Sequence, residues 1–128
     1  MNKQIVTVVG LGFVGFPTAC ILASSKNKNS QRKFEVSGVD RKLNEIKKKL
    51  TNLNSESGIL TEDQNLNRII KNVVKNNLIN FSNNLQNISK SDIIIVSVNF
   101  DFSNNSNLKN FYISEQKIYS CQHNIYSC

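Results

Sequence analysis

Cysteine, proline and glycine are all scarce in these 128 residues: three, one and five copies respectively. The cysteines, Cys20, Cys121 and Cys128, are odd in number and follow no framework spacing. That argues against a disulfide-stapled secreted domain and suits a reducing compartment. Paired C-x-x-C spacing is missing too, so Cys121, His123 and Cys128 lack a fourth ligand, and no metal site is expected. Cys20 lies in an apolar stretch and reads as a small buried hydrophobe. There is no internal repeat, and the length leaves room for one core only.

An unbroken apolar helix is missing as well. Met1-Asn2-Lys3, followed by the uncharged, mostly apolar run over residues 4–25, superficially resembles an export signal. Three of the five glycines and the lone Pro17 fall within residues 10–17, where they would break such a helix. They fall where a strand must turn tightly into a helix, so a cytoplasmic location is expected. Acidic residues are outnumbered, nine against 16 basic ones, for a formal charge of +7. Such an excess can mark a nucleic-acid partner. Here the lysines are scattered, the dense run Lys47-Lys48-Lys49 lies on an expected helix, and no nucleic-acid motif accompanies it. Neither nucleic acid nor a membrane is expected as a partner; the basic surface helps to attract a polyanionic ligand. Asparagine is the residue in excess, 21 of 128, spread along the whole chain as background bias.

Apolar periodicity supplies the elements. Residues 3–9 predict a strand covered on both faces, with Ile5, Val6, Val8 and Val9 β-branched. Residues 13–25 predict a helix with Pro17 in its first turn. A polar loop over 26–33 leads to a second strand over 34–39 that ends at Asp40. A helix over 41–50 places Leu43, Ile46 and Leu50 on one face. Thr61 and Gln64 suggest a capping box. The helix they open carries Leu66, Ile69, Ile70, Val73 and Val74, the stripe of a helix buried on one side. A short strand over 78–82 and a helical turn over 85–90 precede Ile93-Ile94-Ile95-Val96-Ser97-Val98, the strongest strand pattern. Helices alternating with apolar strands imply an α/β fold with a parallel sheet.

Beyond Val98 the pattern degrades. Leu108, Phe111, Tyr112 and Tyr119 could share one face of a last helix, and nothing past Cys121 is periodic. The expected organisation is a partial domain over 1–100 and an irregular or loosely packed tail over 101–128. A complete doubly wound domain with the order 3-2-1-4-5-6 has six strands, and the sequence discloses about four. On that expectation the fourth strand is an open edge.

The run Gly10-Leu11-Gly12-Phe13-Val14-Gly15 carries the chemistry. At this G-x-G-x-x-G spacing Gly10 permits the strand-to-helix turn, Gly12 lets backbone approach a pyrophosphate, and Gly15 lets the helix pack against the strand. The helix start then offers N–H groups, from Phe13 and Val14, and its positive dipole end to an anion. Alone the motif is weak; here a strand precedes it, a helix follows it, and an acid closes the next strand. That acid, Asp40, stands 25 positions after Gly15, and the polar loop accounts for the long spacing. A carboxylate there accepts hydrogen bonds from ribose hydroxyls and repels a 2′-phosphate, favouring NAD over NADP. Its other role is an N-cap for the following segment. Arg41 beside it could hold a phosphate or lie along the adenine. The candidate cofactor-binding set is Gly10, Gly12, Phe13, Val14, Gly15, Asp40, Arg41 and Val98.

The run from Val6 to Ala19, with its G-L-G-[FY]-V-G-x-P-T-A pattern, resembles the opening of the UDP-glucose/GDP-mannose dehydrogenases. Within these it is most similar to the UDP-N-acetylhexosamine (mannosamine-type) 6-dehydrogenases of polysaccharide synthesis. Val36-Ser37-Gly38-Val39-Asp40 is similar to that family's second strand and Asp92-Ile93-Ile94-Ile95-Val96 to its fourth, so the resemblance covers roughly residues 1–100. It implies a Rossmann-like parallel sheet with helices on both faces, incomplete at about four strands, with NAD as cofactor. It also implies a two-step oxidation of a nucleotide sugar's C6 hydroxyl to a carboxylate, through a cysteine thiohemiacetal assisted by a lysine. The sequence departs from the family in places. Glu56-Ser57-Gly58-Ile59 only loosely echoes an E-P-G-L element. Glu45 stands where a basic residue is common, and Asn99-Phe100 replaces a Pro-Thr pair. The family's helical domain and cysteine-bearing domain have no counterpart, so no catalytic residue is assigned and the chain alone is expected to be inactive. A UDP-sugar would be engaged only through those other domains. The family's enzymes form homo-oligomers; the sequence does not define this chain's state. The alternatives are a stand-alone NAD-sensing regulatory module and another NAD(P)-dependent or S-adenosylmethionine-dependent enzyme.

Overall fold

The computed structural model describes residues 3–52 and 61–98 and the backbone of 124–127. β1 (Gln4–Val9) lies at the centre of a parallel sheet. On one side it pairs with β2 (Phe34–Val39), which pairs in turn with β3 (Ile79–Ser82). On the other it pairs with β4 (Ile93–Val96), which pairs with β5 (Asn124–Ser127). The spatial order is β3-β2-β1-β4-β5. Val6, Thr7 and Val8 are all buried, although successive side chains point to opposite faces. A strand buried on both faces is what the near-continuous apolar run predicts.

Three α-helices are described: α1 (Gly15–Ser24), α2 (Leu43–Asn52) and α3 (Gln64–Lys75). One face of the sheet, through Val8, Val36 and Ile79, packs with Ala19, Cys20 and Ala23 of α1, Ile46 of α2, and Ile70 and Val73 of α3. Ala19, Cys20 and Ala23 are wholly buried, and their small side chains let α1 lie close to the sheet and to α3. Burial pushes the Cys20 thiol up to about 12, which leaves it protonated and inert at neutral pH. Full burial of Ile70 and Val73 stabilises the fold by roughly 1.5–3 kcal/mol each. The opposite face is covered by a 3-10 helix, Leu85–Lys90, whose Ile88 packs on Ile94 beside Val9 and Val96.

This is the α/β, Rossmann-like parallel sheet with helices that the resemblance implies; among the described residues the three α-helices pack on one face and the 3-10 helix on the other. It has one strand more than expected. β5 falls inside the segment expected to be irregular, so β4 is an interior strand and not an open edge. Asn124–Ser127 is too short and too polar for its own pattern to announce a strand; its backbone pairing with β4 makes it one. The start of α3 also differs. Asp63, not Thr61, is the N-cap, accepting from the N–H groups of Asn65 and Leu66 through Oδ1. Thr61 lies two residues earlier and accepts the N–H of Asp63. The expected final helix, the Cys121, His123 and Cys128 group and the Glu56-Ser57-Gly58-Ile59 element lie outside the described residues.

Candidate functional site

β2 and β3 lie to one side of β1, and β4 to the other, so the strand order reverses between β1 and β4. In open parallel sheets the ligand crevice forms at this reversal, beyond the carboxyl ends of the strands. The glycine run leaves β1 at that point. Gly10 has φ +90°, which a side chain would resist, and a Cβ there would stand 2.0 Å from the Ser97 carbonyl oxygen. Around it, the Gly10 N–H donates to the Val39 carbonyl at 2.8 Å and the Ser97 N–H to the Val9 carbonyl at 2.7 Å. The turn is therefore hydrogen-bonded to both neighbouring strands.

The other two glycines divide the remaining work. A Cβ on Gly15 would lie 1.8 Å from the Gly10 carbonyl oxygen, so only glycine lets α1 start this close to the end of β1. A Cβ on Gly12 would meet nothing within 4 Å, which leaves backbone open to an incoming group. α1 begins with bonds from the Phe16 N–H to the Gly12 carbonyl and from the Thr18 N–H to the Val14 carbonyl. Pro17, between them, has no N–H to satisfy. The helix start has no side-chain cap and no acidic residue in its first turn. Its leading N–H groups and positive dipole end are thus free of a competing carboxylate on α1, a combination suited to binding an anion.

Asp40 stands beside the turn, just past the end of β2. Its Oδ2 accepts the Leu11 N–H at 2.8 Å, and its Oδ1 accepts the Lys42 N–H at 2.7 Å. The second bond resembles a cap ahead of α2, so the carboxylate already serves the segment that follows it. Arg41 is exposed next to it. Val98 stands 3.1 Å from the position of a Gly10 Cβ and is 40% exposed; Phe13 and Val14 are exposed at 89% and 55%. The structure thus gathers the glycine turn, Asp40 and Val98 at one end of the sheet. A cavity of about 220 Å³ lies beside the turn, with Leu11, Gly12, Phe16, Ile46 and Ile70 among its walls and Lys49 on its border.

Two residues outside the candidate set also shape the site. Leu11 is only 5% exposed, although it sits inside the turn, and Gly38 of β2 lies under it. A glycine inside a β-branched strand marks a close approach, and that signal was present in Val36-Ser37-Gly38-Val39. The open Gly12, the uncapped helix start and the fixed carboxylate fit a dinucleotide's pyrophosphate and ribose.

These features define a dinucleotide-binding α/β domain. The chain belongs to the UDP-glucose/GDP-mannose dehydrogenase family: the NAD-binding domain of that family matches residues 4–121, so the cofactor of this domain is NAD. No curated protein sequence matches it significantly. Among solved structures it is similar to an NDP-N-acetyl-D-galactosaminuronic acid dehydrogenase from Methanosarcina mazei, with 26% identity and a TM-score of 0.58. That alignment covers 80% of this chain and 21% of the other. A UDP-N-acetyl-mannosamine dehydrogenase from Staphylococcus aureus aligns at 20% identity and TM-score 0.61, covering 97% of this chain and 28% of the other. A UDP-glucose dehydrogenase from Pyrobaculum islandicum shares the fold at 12% identity and TM-score 0.69, covering 98% and 28%. The chain therefore spans between 21% and 28% of the length of these enzymes. No helix among the described residues is long and apolar enough to cross a membrane.

Proposed function

We propose that this chain is the NAD-binding portion of a nucleotide-sugar 6-dehydrogenase, whose full length oxidises the C6 hydroxyl of a UDP-sugar to a carboxylate. The observation that carries this reading is the family match over residues 4–121, and the open Gly12 at an uncapped helix start, with a carboxylate held beside it, supports its cofactor site. The N–H groups of Phe13 and Val14 bind the pyrophosphate, with Gly10 and Gly15 fixing the path of the backbone. Asp40 accepts the ribose hydroxyls, Arg41 lies along the adenine, and Val98 forms an apolar wall beside the turn. When bound, NAD supplies the hydride acceptor. The sugar and the nucleophile that holds its aldehyde belong to the remaining length of such enzymes.

A 2′-phosphate would bring two negative charges against Asp40, so NAD binds at least about tenfold tighter than NADP. Calorimetric titration of the purified chain with each dinucleotide checks this. Equal affinity, or a preference for NADP, would remove Asp40 from the ribose site. Absence of NAD binding would remove the site itself.

A further inference from the structure

We infer that β2 clamps the glycine turn through Leu11, with Asp40 holding its backbone and Gly38 seating its side chain. The inference rests on the cofactor reading above and deepens it. The residue that selects the cofactor's ribose also positions the loop that takes its pyrophosphate.

Leu11 is the anomaly that leads there. Its neighbours Gly12 and Phe13 are exposed, yet Leu11 is 5% exposed and belongs to the main core. Its two methyl groups stand 2.9 and 3.0 Å from where a Cβ on Gly38 would be, and the Phe81 ring stands at 3.1 Å. A methyl on Gly38 would make the Leu11 methyl groups shift slightly, and a branched side chain there would take the space that Leu11 fills. The backbone of Leu11 is held independently, since its N–H donates to Asp40 Oδ2 at 2.8 Å. Asp40 cannot easily swing, because Oδ1 accepts the Lys42 N–H at 2.7 Å and its own N–H donates to the Ser82 carbonyl at 3.1 Å.

Two consequences follow from the chemistry. A carboxylate with one N–H on each oxygen has a fixed plane and keeps a lone pair on each oxygen for ligand hydroxyls. The Leu11 N–H is committed to Asp40, so the donors left for a pyrophosphate begin at Gly12. Replacing Asp40 to admit a 2′-phosphate consequently frees the turn as well, and cofactor preference cannot be switched at this position without loosening the loop.

The test compares amide hydrogen exchange in the free, full chain with that of Asp40→Ser. The expected result is exchange about tenfold faster at Leu11 and Lys42, the scale of a lost charge-assisted bond, with Val6 and Val8 of β1 unchanged. Unchanged exchange at Leu11 overturns the clamp. Because this readout needs no ligand, it decides the clamp even if NAD fails to bind and the cofactor reading falls. A second arm uses Gly38→Val, which is expected to weaken NAD binding about tenfold by driving Leu11 toward the neighbouring cavity. Adding Leu11→Ala conserves the volume and keeps the backbone bond, so affinity returns. Gly38→Val with undiminished NAD affinity, or no recovery in the double variant, overturns the seating of Leu11.

Discussion

Gly12 and Gly15 belong to one motif but answer to different physics, and substitution separates them. Gly15→Ala sets a methyl 1.8 Å from the Gly10 carbonyl oxygen, a backbone atom that cannot rotate away. It should destabilise the fold by about 3 kcal/mol, read as a lower melting temperature whether or not NAD is present. At Gly12 a methyl meets only open space, so Gly12→Ala should leave the melting temperature of the free chain unchanged. On the proposed site the same methyl crowds the approach of the pyrophosphate, and NAD affinity should fall about tenfold or more. Loss of stability in Gly12→Ala, or its absence in Gly15→Ala, would contradict these assignments. The motif's spacing made the turn and the close approach at Gly15 readable from sequence, because a local turn is encoded locally. The seat of Leu11 on Gly38 was not readable, since it joins the turn to β2, 27 positions on in the chain, and only the fold brings them together.

Elements with a strong period were readable for the same local reason. β2 runs over the residues expected for it, and α3 buries Ile70 and Val73 from the predicted stripe. The α3 cap differs from the expected one because Thr61 and Asp63 are both good capping residues, two positions apart. Only the accepting geometry at Asp63 Oδ1 chooses between them. Between elements, β1 is tied to the segment that leads into β4 by a buried hydroxyl pair, Thr7 Oγ1 and Ser91 Oγ at 2.6 Å. Beside it, Asp92 Oδ2 accepts the Ile5 N–H, and the Asp92 N–H donates to the Ile5 carbonyl. Either Thr7→Val or Ser91→Ala leaves the other hydroxyl buried without its partner and should cost about 1–2 kcal/mol. The double variant removes both hydroxyls, so its cost should be clearly less than the sum, as denaturant unfolding of all four chains would measure. Additive losses would show that the two hydroxyls do not act as a pair.

At the scale of the whole molecule, the site depends on a sheet that continues past it. β4 is bonded to β1 on one side and β5 on the other, and it runs directly into Ser97 and Val98, which stand against Gly10. Placing β5 required a partner strand that lies far away in the chain, so the sequence pattern alone placed β4 at the edge. Four consecutive residues, Ile93 to Val96, would be exposed along their backbone if β5 were removed. They are strongly β-forming and uncharged, the composition that invites pairing between chains. A chain ending at residue 123 should therefore melt at least about 5 °C lower, given the stability a small domain loses with each kcal/mol. It should also self-associate at lower concentration than the full chain, as light scattering would detect. NAD affinity should fall with stability, because loosening β4 moves Ser97 and Val98 away from the turn. If the shortened chain instead kept its melting temperature and stayed monomeric, β5 would be an ornament on the sheet. The support for the glycine turn would then end at β4.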